Sequence, residues 1–219
     1  MIYVLTIFIL FKDKQGDAMR LIGRIQKKVK EVGFKNFVLG ALLSCRYRIM
    51  QKKYGFDVWH FTPYEWREYV QKTASYINTH SAKKVIDIGC GLGGLLQHIE
   101  ADTRIGLDIH ENVILAAREL SGKDIIFRTG SFDEVMGEAE VDYLITLGFT
   151  HGGTEQTWRE PYHMIAQNND IRHFIVDTVP EDGSSHFLNY RKIMPENYVM
   201  IDRMGPFLGG RCIEIWEKR

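Results

Sequence analysis

The sequence predicts an α/β fold: a doubly wound, mostly parallel sheet of seven strands that ends in an antiparallel hairpin, preceded by a helical extension. Three observations carry this. From Lys84 onward, β-branched runs alternate with amphipathic helical stretches, the pattern of a parallel sheet covered on both faces. The first run ends in an acid and a glycine-rich turn, VIDIGCGLGG at 85–94. The last two runs have no helix between them, only a connection containing Gly205, Pro206, Gly209 and Gly210, which suits a hairpin.

Residues 1–53 read as a basic helical extension and 54–219 as the main domain. Met1 to Phe11 are almost wholly apolar, too short to span a bilayer as a helix, and lack the basic start and cleavage site of a signal peptide. An interfacial anchor, a buried strand and an upstream start codon are all compatible with residues 1–18. The start codon is preferred, because Met19 opens a more ordinary N terminus. Between Arg20 and Lys53 stand ten Lys/Arg and one acid, Glu31, although the whole chain has a formal net charge of zero. The remainder is therefore net acidic. Arg20–Val32 has a helical pattern, with Leu21, Ile22, Ile25, Val29 and Val32 on one face, and Asn36–Met50 is a second, more apolar helical stretch. The pair either packs on the core or a partner with its basic face solvated, or attaches to an anionic membrane surface. Cys45, Cys90 and Cys212 are scattered and odd in number, which fits a reducing cytosol rather than a disulfide framework or a zinc site.

The aromatic segment YGFDVWHFTPY at 54–64 reads as a turn. Thr62 is a candidate N-cap with Pro63 at the first helical position, predicting a helix to about Asn78. Strands are expected at 84–89, 103–108, 124–129, 141–146 and 171–178, and helices at 92–100, 111–120, 154–168 and 185–193. Tyr198–Arg203 and Arg211–Trp216 close the sheet as the hairpin.

The glycine turn carries the chemistry. Glycines permit a tight turn and let a ligand approach the main chain, and the expected helix at 92–100 would aim free N–H groups at it. Gly89, Gly91 and Gly94 satisfy G-x-G-x-x-G, while Asp87, Gly89, Gly91 and Gly93 satisfy D-x-G-x-G-x-G. The first pattern admits a dinucleotide and an NAD(P)-dependent oxidoreductase. The second suits S-adenosylmethionine (SAM): a carboxylate at Asp87 would repel a pyrophosphate but tolerates a sulfonium and an ammonium. Asp108, about twenty residues on, stands where the ribose hydroxyls of either cofactor are held. Only about 135 residues follow Lys84, which leaves little room for a separate substrate domain.

On VIDIGCGLGGLL, YGFDVWHFTPYEWREYV and LGFTHGGT, the chain from about Tyr54 to Glu217 resembles class I SAM-dependent methyltransferases, in particular those of bacterial surface-polysaccharide biosynthesis clusters. The resemblance implies a Rossmann-like fold and SAM as cofactor. Asp87, Gly89, Gly91 and Gly93 would line its amino-acid end, and Asp108 its ribose, with Ile109 against the adenine. Ser131 and Phe132 occupy the adenine-contact position, where many members carry an acid in place of Ser131. Thr146 and Leu147 would lie beneath the methyl group. The acceptor implied is a sugar hydroxyl or glycan precursor. The expected location is the cytoplasm, with association at the inner face of the membrane as the alternative that the basic arm allows.

A hydroxyl acceptor benefits from a base. His151, in the glycine-rich segment leaving the fourth strand, is the first candidate, because histidine titrates near neutrality. His60, in an aromatic turn that could close as a lid, is the second. Asp177, ending the fifth strand, could orient a histidine or bind acceptor hydroxyls. Trp59, Tyr64 and Trp158 could stack on a sugar face, and Arg67 and Arg159 could pair with a phosphate. His163, His173 and His186 show no metal spacing, so no metal is expected. A nucleic-acid substrate is disfavoured: the predicted core is acidic, and no Asn/Asp-Pro-Pro-aromatic motif follows the fourth strand. A non-catalytic adaptor with the same fold is the remaining alternative.

Overall fold

The computed structural model describes residues 15–121, 124–148, 150–180 and 187–219, with the side chains of 15–19, 21 and 151 outside the description. Seven strands, β1 (Lys84–Ile88), β2 (Thr103–Asp108), β3 (Ile125–Thr129), β4 (Val141–Thr146), β5 (Ile171–Thr178), β6 (Tyr198–Met204) and β7 (Cys212–Lys218), form one sheet in the order β3-β2-β1-β4-β5-β7-β6. β1 to β5 run parallel, and β7 inserts antiparallel between β5 and β6. The expected fold class is the observed one. β1 has β2 on one side and β4 on the other, so the winding reverses there and a crevice opens beyond the carboxyl ends of both strands.

The α-helices among the described residues are α1 (Gln15–Val32), α2 (Phe34–Tyr54), α3 (Glu68–Thr79), α4 (Glu111–Ser121) and α5 (Glu155–Asn168). Successive strand residues point to opposite faces, and both faces are dry. Ile86, Leu144 and Phe174 pack with Tyr162 and Ile165 on one side. Val85, Ile145 and Ile175 pack with Ala74, Ile77 and Ile114 on the other. A third cluster packs Tyr47 and Met50 of α2 against Val113, Ala116 and Leu120 of α4. Lys53 and Tyr54 both reach Glu119 of α4, at 2.5 Å each.

Three expected helices are corrected. No α-helix covers 92–100; only a 3-10 turn, Leu96–His98, forms there. Gly93 at φ 73° stops helical propagation from the glycine turn, and Ile99 is already extended at φ −97°, ψ 132°, which leaves too few residues between for an α-helix. The helix expected from Pro63 begins instead at Glu68, after 3-10 turns at Val58–Phe61 and Tyr64–Trp66. Here packing overrides capping. Tyr64 stacks on His98 at 3.6 Å, while Trp66 fills the space left by Gly40 of α2, where a Cβ would meet its indole. The cap in use is Asp57, whose carboxylate accepts the Trp59 N–H at 3.0 Å. Of the helix expected at 185–193, residues 185–186 lie outside the described residues, and the rest holds only the 3-10 turn Tyr190–Lys192, capped by Asn189. The two helices of the extension run longer than expected, and β7 ends two residues later.

Candidate functional site

β1 delivers the chain to Gly89, which starts a turn that only glycines suit: Gly89, Gly91 and Gly93 have φ of 75°, 53° and 73°. The turn is anchored to β2, since the N–H groups of Gly89 and Cys90 donate to the Leu107 carbonyl at 2.8 and 2.9 Å. The Gly91 N–H donates to Asp108 Oδ2 at 3.2 Å, and the His110 N–H to Asp108 Oδ1 at 3.0 Å. Phe127 of β3 fills the space beneath, where Cβ atoms at Gly93 and Gly106 would sit.

Above the turn lies a cavity of about 430 Å³, within the range of small-molecule sites. The turn, Asp108, Ile109 and His110 form one wall, with Gly130 and Ser131 beside them. Leu147, Gly148, Trp158 and Arg211 form the far end, and Tyr47, Trp59, His60, Arg67 and Tyr69 close it from the N-terminal side. His60 covers the turn so closely that a Cβ on Gly91 would come within 3.1 Å of its Nδ1. Burial lowers the His60 pKa, against the opposing pull of Asp108 and Asp57. Its edge faces the His110 ring, 6.3 Å away.

Two arginines sit at this cavity in different states. Arg211 pairs with the fully buried Asp177 and lies over the Tyr69 ring, 4.6 Å from its centroid. Asp177 also accepts the Gly148 N–H at 2.9 Å. Arg67 has a buried Nε with no hydrogen-bond partner among the described residues. Its charge acts on Asp87, whose pKa burial pushes up to about 8 while Arg67 pulls it down and Asp108 adds to the rise. The Cys90 thiol is pushed well up by burial and by the same two carboxylates, which makes it an inert turn residue rather than a nucleophile.

Of the residues singled out in the sequence, Gly89, Gly91, Asp108, Ile109, Ser131, Leu147 and His60 line this cavity, as do Trp59, Arg67 and Trp158. Asp87, Gly93, Phe132, Thr146 and Asp177 do not. Asp87 is buried under the turn and Asp177 is sealed behind Arg211. Phe132 packs against Tyr162 at 5.3 Å, and the Thr146 hydroxyl lies 2.5 Å from the Tyr162 hydroxyl. Tyr64 is taken up by His98, and Arg159 lies on a separate surface with Glu155 and Lys192. His151 belongs to the 3-10 turn Thr150–Gly152, but its side chain lies outside the described residues, as does His186. His173 stacks on Tyr143 at 4.7 Å. Among the described residues no group of three or more His, Cys, Asp or Glu is placed to hold a metal ion.

Arg211, Tyr69, Tyr47, His110 and Gly130 are lining residues that sequence reasoning missed. Arg211 reaches Asp177 only because β7 runs antiparallel beside β5, pairing Cys212 with Thr178. His110 carried a usable signal, being two residues beyond the acid that ends β2.

No family model and no curated protein matches the chain. Solved structures do resemble it in fold. The N-methyltransferase NodS from Bradyrhizobium japonicum WM9, in complex with S-adenosyl-L-homocysteine (SAH), aligns over 78% of this chain and 97% of its own, at TM-score 0.62 and 12% identity. Magnesium protoporphyrin IX methyltransferase (ChlM) from Synechocystis PCC 6803, with bound SAH, aligns over 83% of this chain and 99% of its own, at TM-score 0.57 and 12% identity. At such identity the likeness is one of fold.

Proposed function

We propose that the protein is a SAM-dependent methyltransferase and that the cavity above the glycine turn holds the cofactor. The observation that carries this is the pairing of the turn at Gly89–Gly91 with Asp108 at the mouth of a cavity that also contains an arginine with an unsatisfied Nε. The residues fit the group. Asp108 offers its carboxylate to the ribose hydroxyls, Ile109 and Ser131 flank the adenine, and Arg67 meets the methionyl carboxylate with charge-assisted hydrogen bonds. Asp87 beneath the turn answers the ammonium, ionising as that charge arrives. His60 and His110, beside Asp108, serve cofactor binding.

SAM supplies a methyl group already activated on a sulfonium, so the protein's part is to position the acceptor and to take its proton. Trp158 lines the far end with an aromatic surface suited to a sugar ring. The acceptor in this reading is a sugar hydroxyl of a glycan precursor. His151, on the turn leaving β4, is the base, and the work is done in the cytoplasm, near the inner face of the membrane. One feature weighs against the oxidoreductase alternative. A pyrophosphate is held at a helix N terminus, and no α-helix follows this turn.

Calorimetric titration with SAH, NAD and NADP, on the native protein and on Asp108→Ala, tests the proposal. Saturable SAH binding that the substitution weakens is expected, followed by methyl transfer to nucleotide sugars or glycans. Binding of NAD or NADP without SAH overturns it.

A further inference from the structure

α2 is apolar on two opposite sides, and the domain covers only one of them. Gly40, Tyr47 and Met50 face inward. On the reverse, Phe34, Leu42, Cys45 and Ile49 follow at intervals of eight, three and four residues, the repeat of a single helical stripe. Phe34 is 71% exposed, Leu42 57% and Ile49 61%, and Cys45 is exposed as well. Large apolar side chains in a contiguous row, open to water, mark a surface that something covers.

Charge identifies the cover. α2 carries Lys35, Arg46, Arg48, Lys52 and Lys53 and no acid, and α1 adds Arg20, Arg24, Lys27, Lys28 and Lys30. Among the described residues, Lys28 and Lys53 are the bases of this pair that reach a carboxylate, Glu31 at 2.7 Å and Glu119 at 2.5 Å. On a helical projection Lys35 and Arg46 flank the apolar stripe on one side and Arg48 on the other. An apolar row bordered by unneutralised cations matches a surface that is apolar within and anionic at its rim, which is the headgroup boundary of an acidic bilayer. No helix among the described residues is long and apolar enough to cross a membrane, so the contact is one of lying on the surface. The cavity opens on a different part of the molecule from this stripe: of α2, only Tyr47, on the inward side, lines it.

We propose that the outer face of α2, centred on Leu42 and Ile49 and bordered by Arg46 and Arg48, docks the protein on an anionic lipid surface. This is independent of the methyltransferase reading. Flotation of the full chain with phosphatidylcholine vesicles, with and without about 30% phosphatidylglycerol, tests it. Binding to the anionic vesicles alone is expected, weakening as sodium chloride rises from about 0.05 to about 0.5 M. Leu42→Glu/Ile49→Glu should abolish it with the thermal transition and the oligomeric state unchanged, and Arg46→Glu/Arg48→Glu should lower partitioning roughly tenfold or more. Equal binding to neutral vesicles, no binding to either, or native-like binding by Leu42→Glu/Ile49→Glu overturns the proposal. So does a dimer in light scattering that this substitution dissociates, since the stripe would then be covered by a second copy.

Discussion

Asp108 accepts the backbone N–H of Gly91 at 3.2 Å, which ties the end of β2 to the glycine turn that follows β1. Its other oxygen accepts the His110 N–H at 3.0 Å, so the carboxylate is held in place before any ligand arrives. Asp108→Ala leaves both donors without their partner, and a stability loss of about 1–3 kcal/mol is expected in urea denaturation. SAH binding should weaken in the same variant. Retention of native SAH affinity by a folded Asp108→Ala would contradict the ribose role.

Gly93 is held by conformation and by contact at once. Its φ is 73°, and a Cβ would lie 2.6 Å from the Phe127 ring. Gly93→Ala should therefore cost about 2–4 kcal/mol, the sum of a left-handed alanine and an overpacked ring. Gly137, at φ 90° with no atom within 4 Å of its would-be Cβ, is the matched control. Gly137→Ala should cost only about 1 kcal/mol. Chemical denaturation of the two variants side by side checks the difference.

The sheet was legible in the sequence because a strand buried on both faces is a largely apolar run bounded by turns, and half or more of the residues of β1, β4 and β5 are β-branched. The glycine turn was legible for a similar reason: its backbone conformations require glycine. The segments between 54 and 68 and between 92 and 100 were not. Their course depends on where Tyr64 and Trp66 find partners, His98 in one case and the vacancy at Gly40 in the other, and neither partner is local. The same holds for the site. Asp108 announces itself by its place after a strand, whereas Arg211 enters only through antiparallel pairing across 34 residues of chain.

The buried Asp87 links protonation to stability and to ligand affinity. Its pKa is pushed up to about 8 by burial, with Arg67 opposing and Asp108 adding. From about pH 5 to about 8 the native state retains a proton that the unfolded chain has released, so this group makes stability fall as pH rises through that window. Asp87→Asn should flatten that part of the stability profile. A ligand bearing an ammonium favours the ionised form, so SAH affinity should rise between about pH 6 and about 8, by at most tenfold per unit, with one proton released. Titrations in buffers of different ionisation enthalpy measure that proton. Its absence, or its persistence in Asp87→Asn, would dissociate Asp87 from the ammonium.

The segment leaving β4 is braced from below by two hydroxyl pairs. Thr146 Oγ1 lies 2.5 Å from Tyr162 Oη, Thr150 Oγ1 lies 2.9 Å from Tyr190 Oη, and the two phenol rings meet edge to face with centroids 6.0 Å apart. Both threonines are fully buried, and burial holds both phenols well above their ordinary pKa, so the pairs stay protonated across any working range. Tyr162→Phe and Thr146→Val should each cost about 1–3 kcal/mol by stranding a buried hydroxyl. The double variant should cost less than their sum, because it strands no hydroxyl of that pair, and a double-mutant cycle in urea reads the coupling directly. Tyr190→Phe frees Thr150, the residue before His151. If His151 takes the acceptor's proton, this variant should lower turnover while leaving SAH affinity unchanged. A parallel loss of SAH affinity would mean that the Thr150–Tyr190 pair supports the cofactor cavity rather than the base.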